Sequence, residues 1–348
     1  MASLPFPAPR REDANDAAPK SSRRFRVSTA ALRIALIACA TVGALVSTAA
    51  AAEARAPIAL GALHAQRMLA AFVAGGSLAA AGTLVQAIAA NPLADPTILG
   101  TSGAAYLGAQ AGLLLASSAA WSLPVRAAAV VVGALLGAVG SLVLVLAATR
   151  RARDLEFLLT GFLLATVLAG VSSVVTALAQ ENPLLGRAMI MLGLGDLASA
   201  GWPELRVAVP LALGVFGGAL LRHRDLDVLA LGHDEARSLG LDVTRARAAM
   251  VAWVACGTAA AVILGGQLAF VGLLAPHLAR RLVGGAHARV VPVAALAGGV
   301  VVLASDRVAV TLAGHVSVPT GAITTLAGAP LFFLMLRARS RVADHGAR

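Results

Sequence analysis

From about Ser28 to Arg337 the chain is a succession of apolar runs, most of them close to the 17–25 residues that a helix needs to cross a bilayer. They can be placed at about 28–52, 67–88, 98–117, 125–148, 156–180, 203–221, 246–268, 273–285, 290–310 and 320–337, the eighth being short. In hydrocarbon every backbone polar group must find its partner within the chain, so runs of this length are read as helices. The expected fold is therefore an all-α polytopic membrane protein with about ten transmembrane helices. A composition of 59% hydrophobic and 13% charged residues, with a mean hydropathy of +0.83, excludes an ordinary water-soluble domain.

The rest of the chain divides around these runs. Residues 1–27, rich in Pro, Ala and charge, are expected to be a disordered tail, 28–340 the transmembrane domain and 341–348 a short C-terminal tail. Run 28–52 reads as a first crossing, although its small-residue end, TAAAAEARA, leaves a cleavable signal peptide open. The segment 181–202 holds a shorter apolar piece, AMIMLGLG, too brief to cross and a candidate for a re-entrant helix.

A net charge of +11 can signal nucleic acid, but the arginines here cluster between apolar runs, where membrane topology accounts for them and no nucleic-acid partner is implied. With ten crossings, Arg23, Arg24, Arg26, Arg150, Arg151, Arg153, Arg222, Arg224, Arg237, Arg245, Arg247, Arg289, Arg337, Arg339 and Arg341 fall on one side. The other side holds only the dispersed Arg55, Arg67, Arg126, Arg187, Arg206 and Arg307. Both termini and the segment 222–247 are thus expected in the cytoplasm of a multi-pass protein of the inner or plasma membrane.

That segment, RHRDLDVLALGHDEARSLGLDVTRAR, is the longest polar interruption between the runs. It reads as two short helices, Asp225–Leu231 and Asp234–Leu239, opened by acids and closed by Gly232 and Gly240. Helices below about 12 residues are marginal alone. Leu226, Leu229, Ala236 and Leu239 must therefore pack on something: the chain's own helix ends, lipid headgroups or a second protein.

Two internal patterns stand out. Gly108 and Gly112, and Gly133 and Gly137, have GxxxG spacing, which allows close backbone approach without naming an interface. At an offset of 184 residues Gly82, Leu84, Pro92 and Gly100 match Gly266, Leu268, Pro276 and Gly284, with opposite membrane orientation, as in an inverted repeat.

The chemistry of the runs is sparse. The one lysine is Lys20, so there is no P-loop; Cys39 and Cys256 share no CxxC spacing; the seven histidines show no metal-ligand spacing. The chain is read as a non-enzyme without metal or cofactor of its own. Asp154, Glu156, Glu181, Asp196, Glu204 and Asp306 lie in loops or near helix ends, which leaves little for an ion-coupled carrier. An intramembrane enzyme lacks GxSxG, HExxH and paired aspartates. Free energy for moving a large solute would have to come from another chain, and 222–247 is the place to receive it.

Four segments together resemble the permease subunits of type II ABC importers, which take up iron siderophores, haem or vitamin B12. They are NPLADPTILGTSGAA from Asn91, LALGHDEARSLG from Leu229, GQLAFVGLLAPHLAR from Gly266 and PTGAITTLAGAPLFF from Pro319, spread over residues 60–337. The resemblance implies a homodimer or pseudo-dimer of ten-helix subunits, with two copies of an ATPase subunit that binds ATP and Mg, and an external substrate-binding protein. The cargo implied is an iron(III) siderophore, with cobalamin or haem as alternatives. It implies ATPase coupling through Leu229, Leu231, Gly232, Ala236, Leu239 and Gly240. It implies a cytoplasmic gate at Asn91, Pro92, Leu93, Asp95 and Pro96, where two prolines break the helix. A structural turn is expected at Gly272, Pro276, His277 and Arg280, with His277 either a ligand for an iron chelate or a hydrogen-bonding residue.

The sequence also departs from the family pattern. Relatives often carry RLPR where this chain has His64-Ala-Gln-Arg67, and DxxAR where it has Asp306-Arg307-Val308-Ala309-Val310. Docking of the binding protein is accordingly expected through Arg67, Arg307 and His64. Ala269 replaces a glycine.

Overall fold

The computed structural model describes residues 58–97, 99–118, 122–148, 154–312 and 318–346. The expected first crossing, the N-terminal tail, Cys39 and the arginines at 150, 151 and 153 lie outside the described residues. Every described element is a helix: α1 (Ile58–Ile88), α2 (Thr101–Ser118), α3 (Leu123–Ala148), α4 (Asp154–Ala179), α5 (Pro183–Leu194), α6 (Trp202–Leu221), α7 (His223–Leu229), α8 (His233–Ser238), α9 (Val243–Gly265), α10 (Val271–Val283), α11 (His287–Leu312) and α12 (Thr320–Gly346). Nine of them answer to expected crossings, and six stretches are long and apolar enough to span by length and composition: His64–Ile88, Val125–Val145, Leu159–Ala179, Trp202–Leu221, Val243–Gly265 and His287–Leu312. Helix α12 continues to Gly346, through residues expected to be a tail.

The helices pack around α1. Its spanning window is 78% buried, and α6, α9, α10 and α11 all lie against it. Helix α4 is the opposite case, 11% buried, with Leu159, Phe162, Leu163, Val167, Val174 and Leu178 exposed.

What brings helices together here is backbone contact. A side chain on Gly108 would collide with the Gly133 carbonyl, on Gly133 with the Gly108 carbonyl, on Gly112 with Ala129 and on Gly137 with Ala104. The two GxxxG pairs are therefore each other's partners, and they seat α2 on α3. Gly75 and Gly298 do the same for α1 and α11.

A different close approach joins α1 to α10. Pro276 was expected to interrupt the chain beside Gly272, His277 and Arg280; instead all four lie inside α10. The break falls earlier, at residues 266–270, where Gly266 and Phe270 both take φ of 64°. Helix α10 tolerates Pro276 because the bond it lacks is the one to the carbonyl four residues back. That carbonyl belongs to Gly272, and it points at α1, occupying the position where a side chain on Gly82 would be.

The short apolar piece in 181–202 is α5. Asn182 caps it, accepting hydrogen bonds from the Leu184 and Leu185 N–H groups at 3.1 and 3.3 Å. At its other end the Leu192 carbonyl accepts from Gln267 N–H at 3.1 Å and Gly195 from Gly321 N–H at 2.8 Å. The helix thus stops against the 266–270 turn and the start of α12.

At the end of the bundle where α11 finishes, Arg67 of α1 grips Asp306. Its Nε lies 2.9 Å from Oδ1 and 3.1 Å from Oδ2, and its Nη2 2.9 Å from Oδ1. Thr320 of α12 donates its hydroxyl to the same Oδ1 at 2.9 Å. The Asp306 side chain is fully buried and that of Arg67 20% exposed, so the forked pair ties three helices together.

Two outcomes follow from this packing. Replacing Gly108 or Gly133 by leucine should lower the unfolding temperature in detergent, the overpacking costing about 3 kcal/mol or more, whereas Gly140→Leu, with open space beside it, should not. Arg67→Ala should destabilise by about 3 kcal/mol, because it leaves a buried carboxylate uncompensated, and Arg67→Ala with Asp306→Ala should cost less than the sum of the two single changes.

Candidate coupling and translocation site

The segment after α6 folds as two helices, seven residues of α7 and six of α8, each beginning one or two residues before the first acid that announces it. Arg222 ends α6 and pairs with Asp225 at 3.0 Å; Arg237 pairs with Asp234 at 3.0 Å. Gly232 and Gly240 take φ of 119° and 85°, backbone that a side chain would strain. Their sequence role as helix ends is thereby explained.

The apolar residues singled out in this segment divide into two sets. Leu226, Leu229 and Ala236 are fully buried on the chain's own helix ends. Leu231 and Leu239 are 63% and 64% exposed. Of the six residues expected to couple to a partner, Leu229 and Ala236 therefore seat the segment, Gly232 and Gly240 shape it, and Leu231 with Leu239 face outward.

Two long-range hydrogen bonds fasten the segment to the bundle. His233, at the start of α8 and buried, places Nε2 2.8 Å from the Ile88 carbonyl at the end of α1; a carbonyl only accepts, so Nε2 carries the proton. Asp227 of α7 accepts at Oδ1 from the His287 main-chain N–H at 2.9 Å and from its ring Nδ1 at 2.8 Å, capping the start of α11. None of these three residues stood out in the sequence beyond the scatter of histidines. The available signal was general: the end of α1 and the start of α11 each need partners for orphan backbone groups.

The expected gate lies between α1 and α2. Ala90 takes φ of 44°, the Asn91 side chain accepts from Leu93 N–H at 2.9 Å, and Asp95 accepts from Thr97 N–H at 2.8 Å and from the Thr97 hydroxyl. These side-chain bonds replace the helical ones that Pro92 and Pro96 forbid. Leu93 is 41% exposed at the tip, whereas Asp95 is buried, its carboxyl held above the usual carboxylate range by burial, which outweighs the two Thr97 bonds. Pro96 and Asp95 press on Gly272, so the loop rests on α10.

A cavity of about 250 Å³ opens beside this loop, between Gln86, Asn91, Pro92, Ala230, Arg280 and His287. Arg280 thus faces the gate, although it was expected at a turn. His277 is buried and meets the Phe332 ring edge-on, with centroids 6.1 Å apart.

A larger cavity, about 540 Å³, lies where α2, α4 and α5 meet, lined among others by Ser102, Tyr106, Ser172, Thr176 and Gln267. Tyr106 donates to the Met189 carbonyl at 3.0 Å, Gln110 Nε2 to the Tyr106 and Thr176 oxygens at 2.9 and 2.8 Å, and Ser172 to Gln110 Oε1 at 2.7 Å. The wall is uncharged, with hydroxyl and amide groups set among Ala165, Leu168, Ala169 and Ala177. The residues expected to dock a binding protein sit at the far end: Arg67 is committed to Asp306, Arg307 is 3.8 Å from the same carboxylate, and His64 is partly buried.

The FecCD transport family model matches residues 27–338. The hemin transport system permease protein HmuU of Yersinia pestis is 35% identical over 79% of this chain and 82% of its own length. The Fe(3+) dicitrate transport system permease protein FecD of Escherichia coli is 33% identical over 78% and 83%, and the cobalamin import system permease protein BtuC of Halobacterium salinarum 35% identical over 82% and 74%. A metal-chelate type ABC transporter, solved in an inward-facing conformation, superposes with a TM-score of 0.70 at 26% identity, covering 78% of this chain and 85% of that one. The helical bundle, its two short helices after α6 and the four motifs have the same explanation: the chain belongs to the FecCD transport family, as a permease subunit of a type II ABC importer.

Proposed function

We propose that this permease moves an iron(III)-siderophore complex inward, taking it from an external substrate-binding protein and drawing its energy from two ATPase subunits docked on α7 and α8. The observation that carries the coupling half of this reading is the pair of exposed leucines. Leu231 and Leu239 stand out as leucines on a segment whose Leu226, Leu229 and Ala236 are fully buried, the arrangement expected where a partner supplies the missing cover. ATP and Mg belong to that partner.

A second copy of the chain, or a homologous permease, supplies the other wall of the path. Exposed α4 carries an apolar ridge, and its polar positions Ser172 and Thr176 line the larger cavity. Such a helix is suited to facing a second subunit across a hydrated route, with lipid around the rest of the bundle.

The choice of cargo draws on the cavity wall and on the relatives. The relatives carry names of iron citrate, iron hydroxamate and siderophore systems as well as haemin and cobalamin. An uncharged wall that sets hydroxyl and amide groups among apolar side chains suits a chelate of mixed polarity and offers no ion pair to the carboxylates of haem. Cobalamin, whose periphery bears amides, is the alternative.

The test is uptake in a strain lacking this chain, with radiolabelled ferric hydroxamate chelate, cobalamin and haemin compared side by side. Ferric chelate uptake should return with the wild-type chain, survive an uncoupler that spares ATP and vanish when the ATPase is inactivated. Return of cobalamin or haemin uptake alone would reassign the cargo. Leu231→Arg with Leu239→Arg should abolish both uptake and retention of the ATPase during purification, while the chain remains in the membrane.

A further inference from the structure

The end of α1 is closed by a left-handed cap. The Val85, Gln86 and Ala87 carbonyls are taken by the main-chain N–H groups of Ala89, Asn91 and Ala90. The next carbonyl, that of Ile88, is taken by His233 of α8, a residue 145 positions away. Only Ala89 separates Ile88 from Ala90, whose left-handed backbone starts the gate loop. The first residue of α8 therefore holds the last turn of α1 immediately before the chain bends.

The other short helix is fastened in the same manner at a different place. One oxygen of Asp227 receives both N–H groups of His287, so α7 carries the start of α11. Helix α11 in turn reaches Asp306, where Arg67 and Thr320 hold α1 and α12 at the opposite end. Between the two fastenings lies the cavity of about 250 Å³, bounded by Asn91 and Pro92 on one side and Ala230 and His287 on the other. The gate loop is thus held to the coupling segment by a directed bond and has free volume beside it.

We propose that His233 and Asp227 are positioning residues that make α8 move with the end of α1, and α7 with the start of α11, so that displacement of the coupling helices is delivered to the gate loop. The inference rests on the permease reading above and goes beyond it by naming the links. His233 transmits through the Ile88 carbonyl to Ala90 and the Asn91-Pro92 bend. Asp227 keeps α11 from being left behind, so that the two cavity walls shift together. Neither residue is assigned to the ATPase contact, which falls to Leu231 and Leu239.

The experiment uses the full chain reconstituted with its ATPase in proteoliposomes, with Cys39 and Cys256 replaced by serine and a spin label at Leu93→Cys on the exposed tip of the loop. Label mobility is measured with and without ATP plus vanadate, alongside ATPase retention and hydrolysis. In the wild-type background the label should respond to nucleotide. His233→Leu and Asp227→Ala should reduce that response by about fivefold or more, the scale of a lost coupling between sites, with the ATPase still bound and hydrolysing. His233→Gln, which keeps a side-chain donor, and Asp227→Asn, which keeps an acceptor, should restore it.

A full response in His233→Leu and Asp227→Ala would overturn the proposal, as would failure of the two conservative variants to rescue. Loss of ATPase binding in His233→Leu would also overturn it, by moving His233 into the docking surface. A wild-type chain that retains no ATPase would overturn the permease reading itself, and the links with it.

Discussion

In a bilayer the lipid tails are as apolar as the side chains they meet, so helices gain little from hiding leucine from leucine. The interaction on which this fold depends is therefore direct contact between backbones. Gly75 against Gly298, Gly108 and Gly112 against α3, and Gly82 against the Gly272 carbonyl let α1, α2, α3, α10 and α11 approach more closely than side chains would allow. Dispersion forces and weak polar contacts act at full strength at that range. The forked Arg67–Asp306 pair adds one strong electrostatic tie, placed where α1, α11 and α12 meet. Among the spanning stretches, such a bundle buries α1 most and α4 least.

This division of burial suits a transport subunit. Helix α1 is held at one end by a buried ion pair and at the other by a histidine from α8, with glycine contacts between. It is the element best placed to carry a displacement from α8 into the bundle. The loop at its end is built differently, from side-chain-to-backbone bonds around two prolines beside a cavity. Local bonds of that kind have alternatives, so the loop can rearrange while the helix keeps its shape.

Much of the architecture was legible in the sequence because it is written in local patterns. Run length announced the helices, GxxxG spacing announced the α2–α3 contact without naming it, and two glycines announced the ends of α7 and α8. The four motifs carried the family. What escaped was of two kinds. Pro276 was read as a break because prolines usually are, but a helix with its freed carbonyl turned to a neighbouring glycine accommodates one, and the true break lay where Gly266 and Phe270 turn left-handed. The bonds of His233, Asp227 and Arg67 join residues far apart in the chain, and no local pattern reports them. Arg67, singled out for docking, also pairs with Asp306 across the bundle, which its sequence neighbours do not announce.

The proline in α10 also links two positions that a comparison of sequences would treat as unrelated. Any other residue at 276 would bring an N–H able to reclaim the Gly272 oxygen, drawing it back into its own helix and away from α1. Yet the Gly272 carbonyl carbon and Cα would also sit 2.6 and 2.8 Å from a side-chain carbon at position 82, so both positions answer to the same stretch of backbone. Glycine at 82 keeps the two helices in contact, and a larger residue there should leave a collision at the centre of the molecule.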